Sequence, residues 1–314
     1  MTVARMTVRY RSLIMDNARW DGFEFRAGDI VISTPPKCGT TWTQMLCGLL
    51  IFDGPVFPAP LGQISPWLDQ TIRDLDEIRA IYRAQAHRRF IKTHTPLDGL
   101  PWTDDVSYVV VGRDPRDLMV SMEHHWNNMD LERVLALREQ AVGNDDLATL
   151  PQRPAISDDP AERFRAFVRD SEYTGAVNLT AVMHHLDTGW QRRHDDNVIM
   201  CHYADYTADL PGELLRLGRA LGIDLTIEKA RDLAREASLD RMRARAGEVA
   251  PNAGAIWRDD QAFFRAGGFG EWRTRVTDDD LNEYDTAVKA IASPELALWA
   301  HDGRLASGIE LATT

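Results

Sequence analysis

The sequence predicts an α/β protein, a single domain over residues 1–314 whose central, mainly parallel sheet is flanked by helices. Short apolar runs alternate with amphipathic segments, and parallel strands buried on both faces read as continuous apolar runs. The predicted strands are 29–33, 88–94, 107–111 and 197–202. With 44% hydrophobic and 27% charged residues, the chain has enough apolar material for one large core.

Spacings of three and four between apolar residues indicate the helices, and the clearest amphipathic pattern lies at 66–85. The other predicted helices are 43–52, 117–126, 161–170, 176–192, 210–221, 227–245 and a last one at 278–292. The polar, acidic stretch 131–160 contains Pro151 and Pro154, and it predicts a loop or lid rather than a domain boundary. Residues 251–270, rich in glycine and aromatic residues, predict irregular structure.

Charge and composition exclude several classes of function. A net charge of −12 argues against a general nucleic-acid binder, although a few local cations are enough to bind an anionic ligand. The N-terminal residues show no apolar signal-peptide core, and the longest apolar stretch, around 45–52, is too short to span a membrane. We therefore expect a protein without membrane or nucleic-acid partners.

The use of cysteine and lysine indicates the compartment and the source. The three cysteines, Cys38, Cys47 and Cys201, fit neither a zinc site nor a disulfide framework, which predicts a reducing cytoplasm. Only four of the 36 basic residues are lysines, a bias that indicates a high-GC bacterial source. Two of these four, Lys37 and Lys92, fall inside the motifs described next.

The segment TPPKCGTTW at 34–42 predicts a phosphate-binding loop between the first strand and a helix. Gly39 lets the backbone approach a ligand closely. Thr40 and Thr41 stand at the helix start, where free N–H groups and the helix dipole favour an anion. Lys37 adds a positive charge, but it precedes the glycine, so the segment is not a Walker A motif. A helix cap beside an unrelated lysine is the alternative interpretation.

Three further segments carry candidate polar groups. Lys92 and His94 end the second strand, and a histidine can accept a proton near neutral pH. Arg113 follows the third strand, and its planar guanidinium suits a phosphate. The segment FFRAGGFGEWR at 263–273 places Arg265 in a glycine-rich stretch. The structural alternatives are a histidine hydrogen-bonded at a strand end, surface arginines beside a helix cap, and a surface loop.

Together these segments resemble the cytosolic type of the sulfotransferases that depend on 3′-phosphoadenosine 5′-phosphosulfate (PAPS). PPKCGTTW is similar to the family's YPKSGTTW, RDPRDLMVS to R-N-P-x-D-x-x-x-S, and FFRAGGFGEWR to FxRKGxxGDWK. Pro35, Cys38, Ala266 and Arg273 are departures from these patterns. The segments keep the family's order from about residue 30 to 273, so the chain is identified as a member of the family, and the scarcity of lysine predicts a bacterial one. The resemblance implies the P-loop-kinase-like sulfotransferase fold.

The resemblance also implies the reaction and the residues that perform it. The sulfuryl group of PAPS would pass in line to the hydroxyl, or amine, of a small-molecule acceptor, with adenosine 3′,5′-bisphosphate (PAP) as product and no metal. His94 would be the general base, and Lys37 and Lys92 would assist catalysis. The implied cofactor-binding residues are Lys37, Cys38, Gly39, Thr40, Thr41, Trp42, Arg113, Ser121, Tyr203, Arg265 and Gly267. The implied acceptor-binding residues are Phe23, Trp67 and His125.

Two other functions stay open on the sequence alone. A P-loop nucleotide-dependent kinase shares a phosphate loop on an α/β scaffold, but it should carry a Walker A lysine and a carboxylate for Mg²⁺. A catalytically silent PAP-binding protein would keep the binding loop without turnover. The family's KxxxTVxxxE dimer motif is degraded here to RTRVTDDDLN, so the sequence leaves the oligomeric state open.

Overall fold

A computed structural model describes residues 8–150, 157–171, 177–251, 254–264 and 268–311. Its centre is a sheet of four parallel strands. They are β1 (Ile30–Ser33), β2 (Phe90–Thr93), β3 (Ser107–Gly112) and β4 (Val198–His202). All four predicted strands are confirmed. Every strand residue except Ser107 is buried, as expected for a parallel sheet covered on both faces.

The strand order β2-β1-β3-β4 brings the sequence motifs together at one edge of the sheet. Ser33, at the end of β1, pairs with Thr93 at the end of β2 and with Val110 in β3. β1 and β3 are neighbours, but the chain continues from β1 to β2 on one side and from β3 to β4 on the other. The loops after β1 and β3 therefore diverge and leave a crevice between them. Ligands of open α/β sheets bind in such a crevice, outside the carboxyl ends of the strands.

Helices cover both faces of the sheet. In the described part of the chain they are α1 (Thr40–Ile51), α2 (Leu61–Ile64), α3 (Leu75–Ala84), α4 (Pro115–Asn128), α5 (Leu131–Val142), α6 (Pro160–Arg169), α7 (Leu179–Trp190), α8 (Tyr203–Ala208), α9 (Leu210–Ala220), α10 (Ile227–Glu236), α11 (Leu239–Ala244), α12 (Ala246–Val249), α13 (Asp260–Phe263), α14 (Asp278–Ile291) and α15 (Pro294–Ser307). Many begin at a residue whose side chain accepts a hydrogen bond from the first turn, such as Asp74, Asp130 and Asn178.

Two apolar layers enclose the sheet, because successive side chains of a strand point to opposite faces. Val31 of β1 lies in one layer with residues of α7, α14 and α15. Ile30 and Ile32 lie in the other layer with residues of α1, α9 and α10. The sheet therefore has no solvent-facing side, and the polar groups at its carboxyl edge are the ones left to bind a ligand.

Two helix predictions are wrong in their extent. The helix predicted at 66–85 begins only at Leu75, after the N-cap Asp74. The segment 66–74 is irregular, and Trp67 pairs with Lys92 in an isolated bridge, so the apolar residues there are spaced by burial and not by a helical turn. The helix predicted at 227–245 breaks at Ala237, since Ser238 caps a new helix, α11.

Two other stretches hold more helix than the sequence predicts. The loop predicted within 131–160 is wrong for Leu131–Val142, which forms α5 behind the N-cap Asp130. The lid stays a prediction, and residues 151–156 of this stretch lie outside the described part. A further helix, α15, follows the one predicted as the last. No helix in the described ranges combines the length and apolar character needed to cross a bilayer.

Candidate active site

A cavity of about 520 Å³ lies at the carboxyl edge of the sheet. Its walls include residues that directly follow the strands: Lys37 after β1, His94 after β2 and Arg113 after β3. The cavity therefore occupies the crevice that the strand order creates, and it unites three of the predicted polar segments.

The loop after β1 forms an open helix N-terminus at the cavity wall. Gly39 precedes α1 with a φ of 96°, and no described side chain caps the helix, so the first N–H groups of α1 stay open to a ligand. A Cβ atom at Gly39 would lie 3.1 Å from the ring of Tyr203. Lys37 also has a positive φ of 68°, a conformation that costs a non-glycine residue energy and occurs often at ligand sites.

Four cations of the cavity wall form no salt bridge among the described residues: Lys37, Lys92, Arg113 and Arg73. Burial, with repulsion from Arg113 and Lys92, lowers the pKa of Lys37 to about 7. Burial lowers the pKa of Lys92 to about 8, and the nearby Asp69 opposes that shift. Unpaired cations are costly to bury, so this wall is built for an anion.

The hydrogen bonding of Arg113 is the most direct evidence for an anion at this wall. Its guanidinium is buried and lies 4.3 Å from the ring centre of Tyr203. Nη1 donates to the carbonyl of Lys37 at 3.1 Å, but the buried Nε has no hydrogen-bond partner in the described part of the chain. A guanidinium held by the phosphate loop and left with an orphan donor fits a phosphate group.

His94 lies beside the start of the same loop and is a neutral base. Its Nδ1 lies 2.8 Å from the carbonyl oxygen of Thr34. A carbonyl only accepts hydrogen bonds, so Nδ1 carries the proton and Nε2 keeps its lone pair. Burial, and then the positive charge of Lys92, hold the pKa of His94 well below its usual range. The ring is therefore neutral near pH 7 and can accept a proton at Nε2.

The structure brings most of the other predicted cofactor-binding residues to the same cavity. Trp42 and Tyr203 contact each other edge to face, with ring centres 5.4 Å apart, and Thr40, Thr41 and Ser121 also line the wall. Cys38 differs, because its thiol is fully buried in the core, where burial raises its pKa to about 12. Only its main chain is left for a ligand. The predicted residues Arg265 and Gly267 lie outside the described residues.

Two of the three predicted acceptor residues, Trp67 and His125, line the cavity. The prediction for Phe23 is wrong. Phe23 packs against Trp20, Phe25 and Tyr82 in an aromatic cluster of the core, away from the cavity wall. An aromatic residue near the N-terminus can serve a core or a pocket equally well, and here burial among other rings decides for the core.

The sequence missed the apolar part of the wall. These residues come from the N-terminal segment, α4 and its C-cap, α5, α7, the stretch before α13, and α13 itself: Leu13, Ile14, Met15, Val120, Met122, Trp126, Met129, Val134, Val182, Ile256, Trp257 and Phe263. No motif marks them. The richness of 251–270 in aromatic residues was the one available signal, and it predicted only irregular structure.

The site, taken as a whole, defines a group-transfer enzyme with an anionic donor. It joins an open helix N-terminus, unpaired cations and a neutral histidine at the switch point of a parallel sheet. Among the described residues, no three or more His, Cys, Asp or Glu side chains are grouped where they could hold a metal ion.

Comparison with known proteins defines the family. The model of the sulfotransferase domain matches residues 27–299. The chain is 49% identical to a glycolipid sulfotransferase of Mycobacterium bovis and 48% identical to one of Mycobacterium tuberculosis, with 95% of each chain covered in both cases. It is 24% identical to an amine sulfotransferase of Oryctolagus cuniculus over 84% of this chain and 81% of the relative. The chain belongs to the sulfotransferase family.

Solved structures agree on the fold. A retinol dehydratase in complex with androsterone and PAP superposes with a TM-score of 0.65 at 23% identity, covering 89% of this chain and 86% of that one. A mouse sulfotransferase in complex with PAP gives 0.67 at 20% identity, covering 91% and 96%. The predicted family, fold and activity are confirmed: the protein is a sulfotransferase that transfers a sulfuryl group to a small-molecule acceptor. The kinase and the silent binding protein are not favoured.

Proposed function

We propose that this enzyme moves the sulfuryl group of PAPS to a hydroxyl or amine of a glycolipid-like acceptor, a molecule with a polar head and a long apolar body. The observation that carries the proposal is the continuity of the cavity, which runs from the cationic loop and His94 into a wall of apolar side chains. Its volume of about 520 Å³ takes in both the cationic loop and the apolar wall. The two mycobacterial relatives are named as glycolipid sulfotransferases, which supports the acceptor class.

The chain's residues fit PAPS in two places. The open N–H groups of Gly39, Thr40 and Thr41, the main chain of Cys38 and the ammonium of Lys37 would hold the 5′-phosphosulfate. The 3′-phosphate would lie against Arg113, whose buried Nε needs a partner, with Ser121 and the predicted Arg265 and Gly267 beside it. Trp42 and Tyr203 would contact the adenine. When bound, PAPS supplies the sulfuryl group and PAP remains as the leaving group.

His94 would act as the general base. The Thr34 carbonyl fixes the ring so that the unprotonated Nε2 is the atom free to take the acceptor's proton. Lys37 and Lys92 would stabilise the negative charge that develops on oxygen atoms during transfer. A general base of this kind contributes about 10²–10⁴-fold to the rate. No residue role in this scheme requires a metal.

The acceptor would lie across from the phosphate loop. Trp67 and His125 border the reacting end, and His125 is neutral because burial, with the neighbouring Lys37, holds its pKa well below its usual range. The apolar residues from α5 and the N-terminal segment would cover the lipid part. Burial of each methylene group contributes about 0.8 kcal/mol, so chain length should govern acceptor affinity.

We also propose a cytoplasmic location and no nucleic-acid partner. All three cysteines are free and buried, which suits a reducing compartment, and the net charge of −12 disfavours nucleic acid.

The test is sulfuryl transfer from sulfur-labelled PAPS to three acceptors: a monoglycosylated lipid, the same sugar without its lipid, and a simple phenol. We expect kcat/KM for the glycolipid to exceed that for the free sugar by at least tenfold. His94→Gln should lower turnover by about 10²–10⁴-fold. The same variant should keep the thermal stabilisation by PAP, and the exposed His194→Gln should behave like the wild type. Equal rates with the free sugar would contradict the acceptor class, and normal turnover of His94→Gln would contradict the base.

A further inference from the structure

A fully buried carboxylate, Asp69, lies in the irregular segment 66–74, next to the part of the cavity wall that carries His94. Its Oδ2 accepts three hydrogen bonds, from Thr95 Oγ1 at 2.6 Å, Thr93 Oγ1 at 2.7 Å and Trp20 Nε1 at 3.1 Å. Its Oδ1 is also buried and has no hydrogen-bond partner within the described residues. A buried carboxylate with all its hydrogen bonds on one oxygen and none on the other costs the fold free energy, unless a nearby cation interacts with its charge.

The two threonines are the residues on either side of His94. Thr95 also donates its backbone N–H to Thr93 Oγ1 at 3.0 Å, and its carbonyl accepts a hydrogen bond from Ser33 Oγ at 2.6 Å. Asp69 therefore fixes the chain immediately before and after the base. Together with the Thr34 carbonyl at Nδ1, this sets the direction in which Nε2 of His94 points.

The charge of Asp69 also acts on Lys92. Trp67, two residues before Asp69, pairs with Lys92 in the isolated bridge, and the Lys92 ammonium lies 5.0 Å from the Trp67 ring centre. The other ionisable groups that act electrostatically with Lys92 are Lys37 from the phosphate loop, His94 from its own strand end and His125 from α4. Lysine repels charge on all three, so Asp69 is the group that favours the protonated ammonium.

Opposing effects act on the pKa of Asp69. Burial raises its pKa, whereas the hydrogen bonds from Thr95, Thr93 and Trp20 lower it. Besides Lys92, the nearby charge is Arg19, whose pKa burial lowers and Asp69 raises. Both cations favour the ionised carboxylate.

We propose that Asp69 is a positioning residue of the transfer reaction: it anchors both neighbours of His94 and supplies the counter-charge for the Lys92 ammonium at the sulfuryl site. The inference rests on the proposed roles of His94 and Lys92. Asp69 touches neither donor nor acceptor in this scheme, and it acts only through these two residues.

The test uses Asp69→Asn, which keeps the size and an acceptor oxygen but removes the charge. Without the carboxylate, Lys92 loses its proton at a lower pH. The alkaline limb of kcat/KM for PAPS contains a step for Lys37 and a higher one for Lys92, and only the higher step should move down, by about one pH unit. Above the limb, kcat/KM should then be about tenfold below the wild-type value. At pH 6.5, PAP affinity should stay within about twofold of the wild type. Thr95→Val keeps the charge of Asp69 and removes one of the threonine hydrogen bonds to it. This variant should therefore lower kcat without moving the alkaline limb of the pH profile.

The control is Asp280→Asn, which removes a buried carboxylate at the start of α14, where it accepts hydrogen bonds from Thr277. It should lower the melting temperature and leave the pH profile unchanged. The inference is overturned if kcat/KM of Asp69→Asn follows the same pH profile as the wild type. It is also overturned if kcat/KM falls by the same factor at every pH, as a destabilised protein would show. If Asp69→Asn does not fold, an unchanged kcat in Thr95→Val overturns the anchoring role. Failure of the wild type to bind PAP would instead overturn the proposed function, and is read separately.

Discussion

Raising the pH from 6.5 to 8.5 should weaken PAP binding, because two of the cations in its proposed site lose their protons in this range. The pKa of Lys37 is lowered to about 7 and that of Lys92 to about 8, chiefly by burial. A bound polyanion favours the protonated ammonium groups and raises both pKa values. Below pH 7 the free protein already carries both charges, whereas above pH 8 binding must first take up protons from the solvent.

The size of the effect follows from the two pKa values. For a group that must be protonated in the complex, affinity falls by the factor by which its charged fraction falls. Between pH 6.5 and 8.5 this is about 25-fold for Lys37 and about fourfold for Lys92. Together they predict a loss of about 100-fold in affinity, or about 2.7 kcal/mol.

The measurement is calorimetric titration with PAP at pH 6.5, 7.5 and 8.5, each in two buffers of different ionisation enthalpy, which reports the protons taken up. Lys37→Met should lose affinity at pH 6.5 and show a much flatter pH dependence. Lys229→Met is the matched control, since Lys229 forms a surface ion pair with Asp53 at 2.6 Å, and it should keep the wild-type profile. Affinity that is constant or rises with pH, or proton release on binding, would refute the reasoning.

Two further predictions concern the loop and the outer wall of the cavity. Gly39→Ala should weaken PAP binding at least tenfold and cost about 1–3 kcal/mol of stability, because its φ is 96° and the added Cβ would lie 3.1 Å from the Tyr203 ring; titration and chemical denaturation measure both. Arg138→Met should lower the free energy of unfolding by about 1–3 kcal/mol, since it removes several hydrogen bonds but leaves Asp146 partly exposed and paired with Arg11. The buried Arg138 donates to Asp146 at 2.8 Å and to the carbonyl of Leu13 at 3.0 Å, which ties α5 to the N-terminal segment.

Each of these variants has a matched control. Gly143→Ala introduces a side chain at a φ of 79° with no atom within 4 Å, so it should lose stability through backbone strain and leave PAP affinity intact. Arg133→Met removes an exposed arginine from the same helix as Arg138 and should cost less than about 1 kcal/mol. Equal PAP affinities for the two alanine variants would show that contact with Tyr203 is unimportant. A loss below 1 kcal/mol for Arg138→Met would show that α5 does not depend on this network.

The sequence by itself predicted the strands and the cationic side of the cavity. β1, β3 and β4 are largely apolar runs, so their burial on both faces can be predicted from the sequence alone. The loop at 34–42 is predictable because its chemistry is local: the glycine, the helix start and the lysine lie within a few residues of one another. Lys92 lies near the end of β2, and His94 and Arg113 directly follow β2 and β3. The parallel order of the strands is enough to bring these three residues together.

Only the tertiary structure revealed the apolar side of the cavity. Its wall combines Leu13, Val134, Val182 and Trp257, residues far apart in the chain that no spacing rule connects. Phe23 and Trp67 looked alike as aromatic candidates, yet one is enclosed by other rings and the other lines the cavity.

The role inferred for Asp69 was equally hidden from the sequence. The apolar spacing of 66–85 predicted a helix, whereas residues 66–74 run irregularly beside β2 and bring Asp69 to the threonines that flank His94. Local patterns report how a segment is buried and where its backbone can turn. What a side chain finally faces depends on long-range packing, which decides between core and cavity by the neighbours that distant segments supply.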